Sequence, residues 1–117
     1  MVINSYEFGA IHIDDEVYTT DLWIIDGALK KRDKSFAKKK YGTSHKIPCK
    51  ELRQVVTPNT KRVLIGSGNS GLVSITQKAR DFLENLGIEL VMQKTGELAE
   101  EHVEIRSEDS GILHLTC

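Results

Sequence analysis

The residues best suited to chemistry stand at the junction Ile65-Gly66-Ser67-Gly68-Asn69-Ser70-Gly71-Leu72. Glycines at 66, 68 and 71 reach backbone angles closed to other residues and permit a close approach to the main chain. Ser67, Asn69 and Ser70 add small polar groups between them. Free amides at such a turn can hold an anion, and ligands of α/β sheets gather at the carboxyl ends of parallel strands. The glycines match a bare GxGxxG, but Leu72 to Ile75 reads as extended and a helix opens only near Thr76, so the dinucleotide fingerprint is incomplete. The Lys-Ser/Thr ending of a P-loop is absent, and the serines miss the GxSxG spacing of a nucleophile elbow. Two readings follow: a tight structural turn, which is favoured, or a small-molecule or anion site built from Gly66, Ser67, Gly68, Asn69, Ser70 and Gly71.

The second feature is a run of cations, Lys30, Lys31, Arg32, Lys34, Lys38, Lys39 and Lys40, opposed within it by Asp33 alone. Such a run reads as an exposed extension of a hairpin or a mobile loop. It fits an acidic protein face, or a second copy of the chain through the acidic segment holding Glu97, Glu100, Glu101 and Glu104. Nucleic acid is a further alternative, with only Phe36 and Tyr41 in the segment to stack on bases. His114 and Cys117 form an HxxC ending, but residues three apart on a strand point to opposite faces. They are expected to be a satisfied histidine and a buried thiol. Cys49 has no partner base in the sequence. The chain therefore offers no catalytic set, no metal-ligand spacing and no cofactor motif.

These residues must be positioned by elements whose periodicities are legible. Val2 to Phe8 reads as a strand, and Asp14-Asp15 as a turn between Ile11-His12-Ile13 and Glu16-Val17-Tyr18-Thr19. Leu22-Trp23-Ile24-Ile25 is followed by Asp26-Gly27, the signature of a tight hairpin, with a return strand from Ala28-Leu29. Pro48 opens a helix carrying Leu52, Val55 and Val56 on one face and ending before Pro58. Arg62-Val63-Leu64-Ile65 has the apolar character of a strand buried on both faces. Thr76 caps a helix with the stripe Ala79, Phe82, Leu83 and Leu86, closed at Gly87. Ile88 to Met92 is the next strand, and strand-helix-strand order implies a right-handed crossover and a parallel pair. Thr95 is expected to cap a last helix over about Gly96 to Arg106. The chain closes on Ile112 to Cys117.

The whole chain sets the outer bounds. Its 117 residues, 39% hydrophobic and 28% charged, fit one folded domain over 1–117. The net charge of −1 argues for no partner by itself, so any electrostatic message is local. Two cysteines without a motif read as reduced thiols. The start lacks a basic and apolar leader, and no apolar run approaches the ~18 residues of a membrane span. The cytoplasm is the expected compartment and no membrane partner is expected.

Tyr6-x-Phe8-Gly9, Ile13-Asp14, Tyr18-Thr19-x-Asp21-Leu22, Val63-Leu64-Ile65-Gly66-Ser67-Gly68-x-x-Gly71 and His114-Leu115-Thr116-Cys117, in that order, resemble a small domain of unknown function. That domain is found in methanogen hypothetical proteins, and the adipogenesis-associated domain protein and a mitochondrial complex I assembly factor are similar to it. The resemblance implies a compact three-layer α/β domain (α+β mixed) with a central mixed sheet, a βαβ unit and a β-hairpin insertion. It supplies no catalytic residues. Because the mitochondrial relatives act in respiratory-complex assembly, it implies a non-enzymatic interaction or assembly-type module. The Lys30 to Lys40 stretch is more basic than the resemblance leads one to expect.

Overall fold

The computed structural model describes residues 1–43 and 45–117, the side chains of Lys40 and Tyr41 excepted. In chain order the elements are β1 (Ile3–Glu7), β2 (Ala10–Ile13), β3 (Glu16–Tyr18), β4 (Leu22–Ile25), β5 (Ala28–Lys31), α1 (Ser35–Tyr41), β6 (Lys46–Ile47), α2 (Cys49–Val55), β7 (Arg62–Ser67), β8 (Ser74–Ile75), α3 (Gln77–Asn85), β9 (Glu89–Gln93), α4 (Thr95–Glu100) and β10 (Asp109–His114). Five strands form the central sheet in the order β5-β4-β10-β7-β9. The strands β10, β7 and β9 are parallel, whereas β4 is antiparallel to both β10 and β5. The sheet is therefore mixed, with the last strand of the sequence at its centre.

Side-chain alternation covers both faces of this sheet. Val63, Ile65, Ile112 and Trp23 enter a core with Leu52 and Val55 of α2 and Ala79 and Leu83 of α3. Their neighbours Leu64, Leu113, Leu22 and Ile24 enter a second core with Ile3, Ile11 and Ile13 of β1 and β2, and with Leu98 and Ala99 of α4. Three layers result: helices α1 to α3, the sheet, then the β1-β2-β3 meander with α4. Burial on both faces explains why the strand sequences are runs of Val, Ile and Leu with little polar alternation.

Local chemistry fixes the connections. Asp26 and Gly27 both take positive φ, 48° and 78°, the pair of left-handed residues that a two-residue hairpin turn requires. The Thr76 hydroxyl accepts from Ala79 N–H at 3.1 Å to cap α3, and Gly87 follows that helix at φ 68°. The unit β7-α3-β9 is the expected parallel crossover.

Three expectations are corrected. The basic run is not a loop: Lys30 and Lys31 close β5, and Ser35–Tyr41 is helical. Its few apolar residues suffice, because Ala37 is fully buried and the Phe36 ring stands 5.9 Å from that of Trp23. The last helix stops at Glu100, where His102 turns to φ 49° and Glu104 bridges to Val2. Cys117 is exposed, and the buried thiol is Cys49.

The central strand tolerates no side chain at Gly111, where a Cβ would fall on the backbone of Leu64 in β7. Gly111→Ala must push β10 away from β7, and overpacking of a core costs ~1–3 kcal/mol or more. Gly111→Ala is expected to lose about 2 kcal/mol or more of stability and to unfold at lower urea; an unchanged midpoint would contradict this close strand contact.

Candidate functional site

The carboxyl ends of β10, β7 and β9 converge with the start of β4 and the end of β5. Asp21, the residue before β4, and Arg32, the residue after β5, face one another there: Arg32 N–H donates to the Asp21 carbonyl at 2.9 Å. Their side chains form the centre of a buried charge network. Arg32 Nη1 lies 3.0 Å from Asp21 Oδ2, while Arg32 Nε and Nη2 donate to Glu51 Oε2 and Oε1 at 2.8 and 3.1 Å. Trp23 Nε1 donates to Glu51 Oε2 at 2.9 Å. His114 Nδ1 lies 2.6 Å from Asp21 Oδ2, and Leu115 N–H donates to Asp21 Oδ1 at 2.9 Å. The ionised Asp21 carboxylate only accepts, so the His114 proton on this contact resides on Nδ1.

Each member is placed by its element. Glu51 lies in the first turn of α2 and faces the sheet, fully buried. His114 ends the central strand, and the ring of His45 meets it edge-on at 5.3 Å between centroids. Burial pushes the Asp21 carboxyl up. The hydrogen bonds from His114 and Leu115, with the charges of His114 and Lys34, more than offset it and lower the pKa from 3.8 to about 2. Burial acts to lower the Arg32 pKa, but Glu51 and Asp21 raise it, so the guanidinium remains charged.

The glycine junction abuts this network. Gly66 and Ser67 are buried at the end of β7, and Ser67 Oγ donates to the Gln93 carbonyl at 3.1 Å. Gly68 takes φ 93°, and a Cβ there would stand 2.9 Å from the His114 ring and closer still to the Thr116 carbonyl. Its amide donates to Thr95 Oγ1 at 3.0 Å, and that hydroxyl donates to the His114 carbonyl at 2.6 Å. The Thr95 side chain therefore ties the junction to β10 and does not cap α4; Glu97 instead accepts from Lys94 N–H at 3.1 Å. The Asn69 amide donates to the Thr116 carbonyl at 3.2 Å. Asn69, Ser70 and Gly71 are exposed. The amides of Gly68 and Asn69 are thus spent on the protein's own chain.

The basic residues divide. Arg32 is buried, and Lys34 reaches Asp21 at 3.6 Å. Lys30, Lys31, Lys38 and Lys39 are exposed and make no ion pair among the described residues; the Lys40 side chain lies outside them. Lys30 stands 5.9 Å over the Trp23 ring. Beside the network opens a cleft of about 600 Å³, lined by Thr19, Thr20, Lys31, Lys34, Leu115 and Thr116 among others. Sequence reasoning missed Asp21 and Glu51. The available signals were a lone Asp before an apolar strand and a lone Glu on the apolar side of a helix. No group of three or more His, Cys, Asp or Glu side chains among the described residues is placed to hold a metal ion.

The chain belongs to the family of proteins of unknown function DUF498/DUF598, whose pattern matches residues 3–113. It is similar in structure to the conserved hypothetical protein PH1505 from Pyrococcus horikoshii, with TM-score 0.85, 29% identity and all of both chains covered. It is also similar to the protein MT938, with TM-score 0.78, 25% identity and 98% and 97% of the two chains covered. A Bordetella parapertussis protein shares the fold at TM-score 0.66 and 15% identity, with 97% and 93% covered. No curated protein matches the chain.

Removing one partner from a buried ion network leaves the others uncompensated, at ~3–5 kcal/mol. Arg32→Ala is expected to lose stability on that order in urea unfolding, while Lys31→Ala, next to it in sequence, changes by no more than about 0.5 kcal/mol. Equal losses would show that burial does not separate the two cations.

The Asp21 carboxyl is depressed in the folded state. Its stabilisation is present above 3.8 and is lost as pH falls toward about 2. In acid titration of stability the wild type is expected to weaken across that window. Asp21→Asn should start lower at neutral pH and show a flatter profile there.

Proposed function

We propose that this chain is a non-enzymatic interaction module that binds an acidic protein surface through the basic sheet edge of β5 and the adjoining α1, where Lys30 and Lys31 flank the strand on its two sides. One observation carries the reading: Lys30, Lys31, Lys38 and Lys39 project from two successive elements and none is neutralised by an ion pair among the described residues. Isolated lysines are ordinary solvated surface, but four cations without an ion pair among the described residues, on adjoining elements and offset only in part by the charge of Asp33 beside Lys30 and Lys39, form a local positive field on a chain of net charge −1. Such a field speeds encounter with an acidic partner and disfavours a basic one. The cleft opens beside this edge and is lined by Lys31, Lys34, Thr19, Thr20 and Thr116, and also by Asp33 and by Asp21, whose carboxylate is already engaged by Arg32 and His114. Its lysines and threonine hydroxyls suit an acidic side chain reaching in from a partner.

The occupied site chemistry supports a binding role over a catalytic one. The His114 Nδ1–Asp21 contact resembles an oriented base, but the His114 side chain is buried and, among the described residues, its Nε2 meets Thr116 Oγ1 at 3.5 Å. The resemblance to an assembly factor points the same way. A reducing compartment such as the cytoplasm suits two unpaired cysteines, one of them exposed. No helix among the described residues is long and apolar enough to cross a membrane.

The test is quantitative capture of partners by wild type and by Lys30→Glu/Lys31→Glu/Lys38→Glu/Lys39→Glu, with circular dichroism to verify the fold. Loss of the acidic partners in the variant, and progressive loss from wild type as salt rises, is the expected result. Identical partner sets would rule the basic face out as the contact.

A further inference from the structure

The basic face ends in an open edge of the central sheet, because β5 is its outermost strand. Arg32 N–H donates inward to the Asp21 carbonyl, and the ladder pairs Lys30 with Trp23 and Ala28 with Ile25. In an antiparallel ladder the residues between such pairs turn their N–H and C=O the other way. Leu29 and Lys31 therefore present both backbone groups outward, and no hydrogen bond among the described residues satisfies them. We infer that an extended acidic segment of a partner protein adds to β5 as a sixth strand. It would pair with the main chain of Leu29 and Lys31 and set its carboxylates against Lys30 and Lys31. This inference rests on the reading of the basic face given above, and specifies the form of the partner.

Two features select this occupant. Lysines on an edge strand normally discourage pairing. Here two copies of β5 paired with Leu29 against Lys31 would set the two Lys30 side chains directly opposite, which is unfavourable. An acidic strand converts that repulsion into attraction, so the same residues reject the self-pair and favour the partner. The second feature is the cleft, which lies beside Lys31 and is lined by Thr19, Thr20 and Lys34. A residue flanking the added strand can extend into it. At the opposite edge, β9 carries Glu89 and no cation, so charge names no occupant there. Backbone pairing would supply affinity and alternate side chains specificity, as in other strand additions.

The probe is a labelled peptide with two adjacent Glu residues flanked by Val, which sets one carboxylate on each side of the added strand as Lys30 and Lys31 require, compared with the same peptide N-methylated at every residue, which keeps the charge and loses every N–H. Binding is followed by fluorescence anisotropy at low salt, and amide exchange by NMR. The expected result is binding of the unmethylated peptide, weakening by about tenfold or more on methylation, and new protection of the Leu29 and Lys31 amides. Equal binding of both peptides, abolished by Lys30→Glu/Lys31→Glu, would overturn strand addition while leaving the basic-face reading in place. Failure of both peptides to bind at low salt would overturn both readings. Light scattering at dimer mass without peptide, with Leu29 and Lys31 already protected, would give the edge to a second copy and also overturn the inference.

Discussion

The fold closes around one buried guanidinium. Arg32 follows the first edge strand of the sheet, yet its side chain is fully buried, between a carboxylate from the start of β4 and another from α2. Moving an ion from water into a protein interior costs several kcal/mol, and only good pairing with satisfied hydrogen bonds offsets that cost. The geometry meets both conditions. Glu51 takes two bonds from the fork, Asp21 takes one, and the remaining carboxylate valences go to Trp23, His114 and the Leu115 amide. Lysine could not replace this arginine, since a compact ammonium lacks the planar fork that engages two carboxylates from different elements. Through these contacts, the β4-β5 hairpin, helix α2 and the end of the central strand hold one relative position.

That position in turn requires the glycines at the other side of His114. The imidazole fills the space against β7 only because Gly68 has no Cβ, and the Thr95 hydroxyl fits under the strand ends only because Gly66 has none. At the glycine junction, three strand ends and the start of α4 are fastened. Ser67, Gly68, Gln93, Thr95, His114 and Thr116 are joined there by hydrogen bonds within the chain. Charge network and glycine turn are two sides of one structure, with His114 between them.

Much of this architecture was legible. The parallel unit around α3 followed from its capping threonine, its apolar stripe and Gly87, all local signals. The β4-β5 hairpin followed from Asp26-Gly27 in the same way. The central place of β10 was not legible, because sheet order depends on contacts far apart in sequence: Ile112 lies between Trp23 and Ile65. Helix α1 escaped because its stability comes from tertiary packing of Phe36 and Ala37 and not from a long periodic stripe. Thr95 looked like a cap by type, and its actual partners, Gly68 and His114, lie at large separation in the chain. The resemblance in motif order carried the three-layer arrangement that periodicity alone left open.

The basic run shows why composition misleads about a surface. Seven cations in sequence suggest one patch, but their fates differ by register. On β5, Lys30 pairs across from Trp23 and lays its ammonium over that ring, while Lys31 pairs across from Leu22 and turns to the cleft on the opposite face. One residue further, Arg32 returns to the first face and is drawn between Asp21 and Glu51. Alternation along a strand therefore divides three adjacent cations into a ring contact, a cleft wall and a structural ion pair. Only those that remain uncompensated carry an outward field. Their number is set by the carboxylates available inside, not by the count of lysines in the sequence. The buried network thus decides what the surface presents: by taking Arg32 and holding Lys34 near Asp21, it leaves the outward charge to β5 and the exposed side of α1.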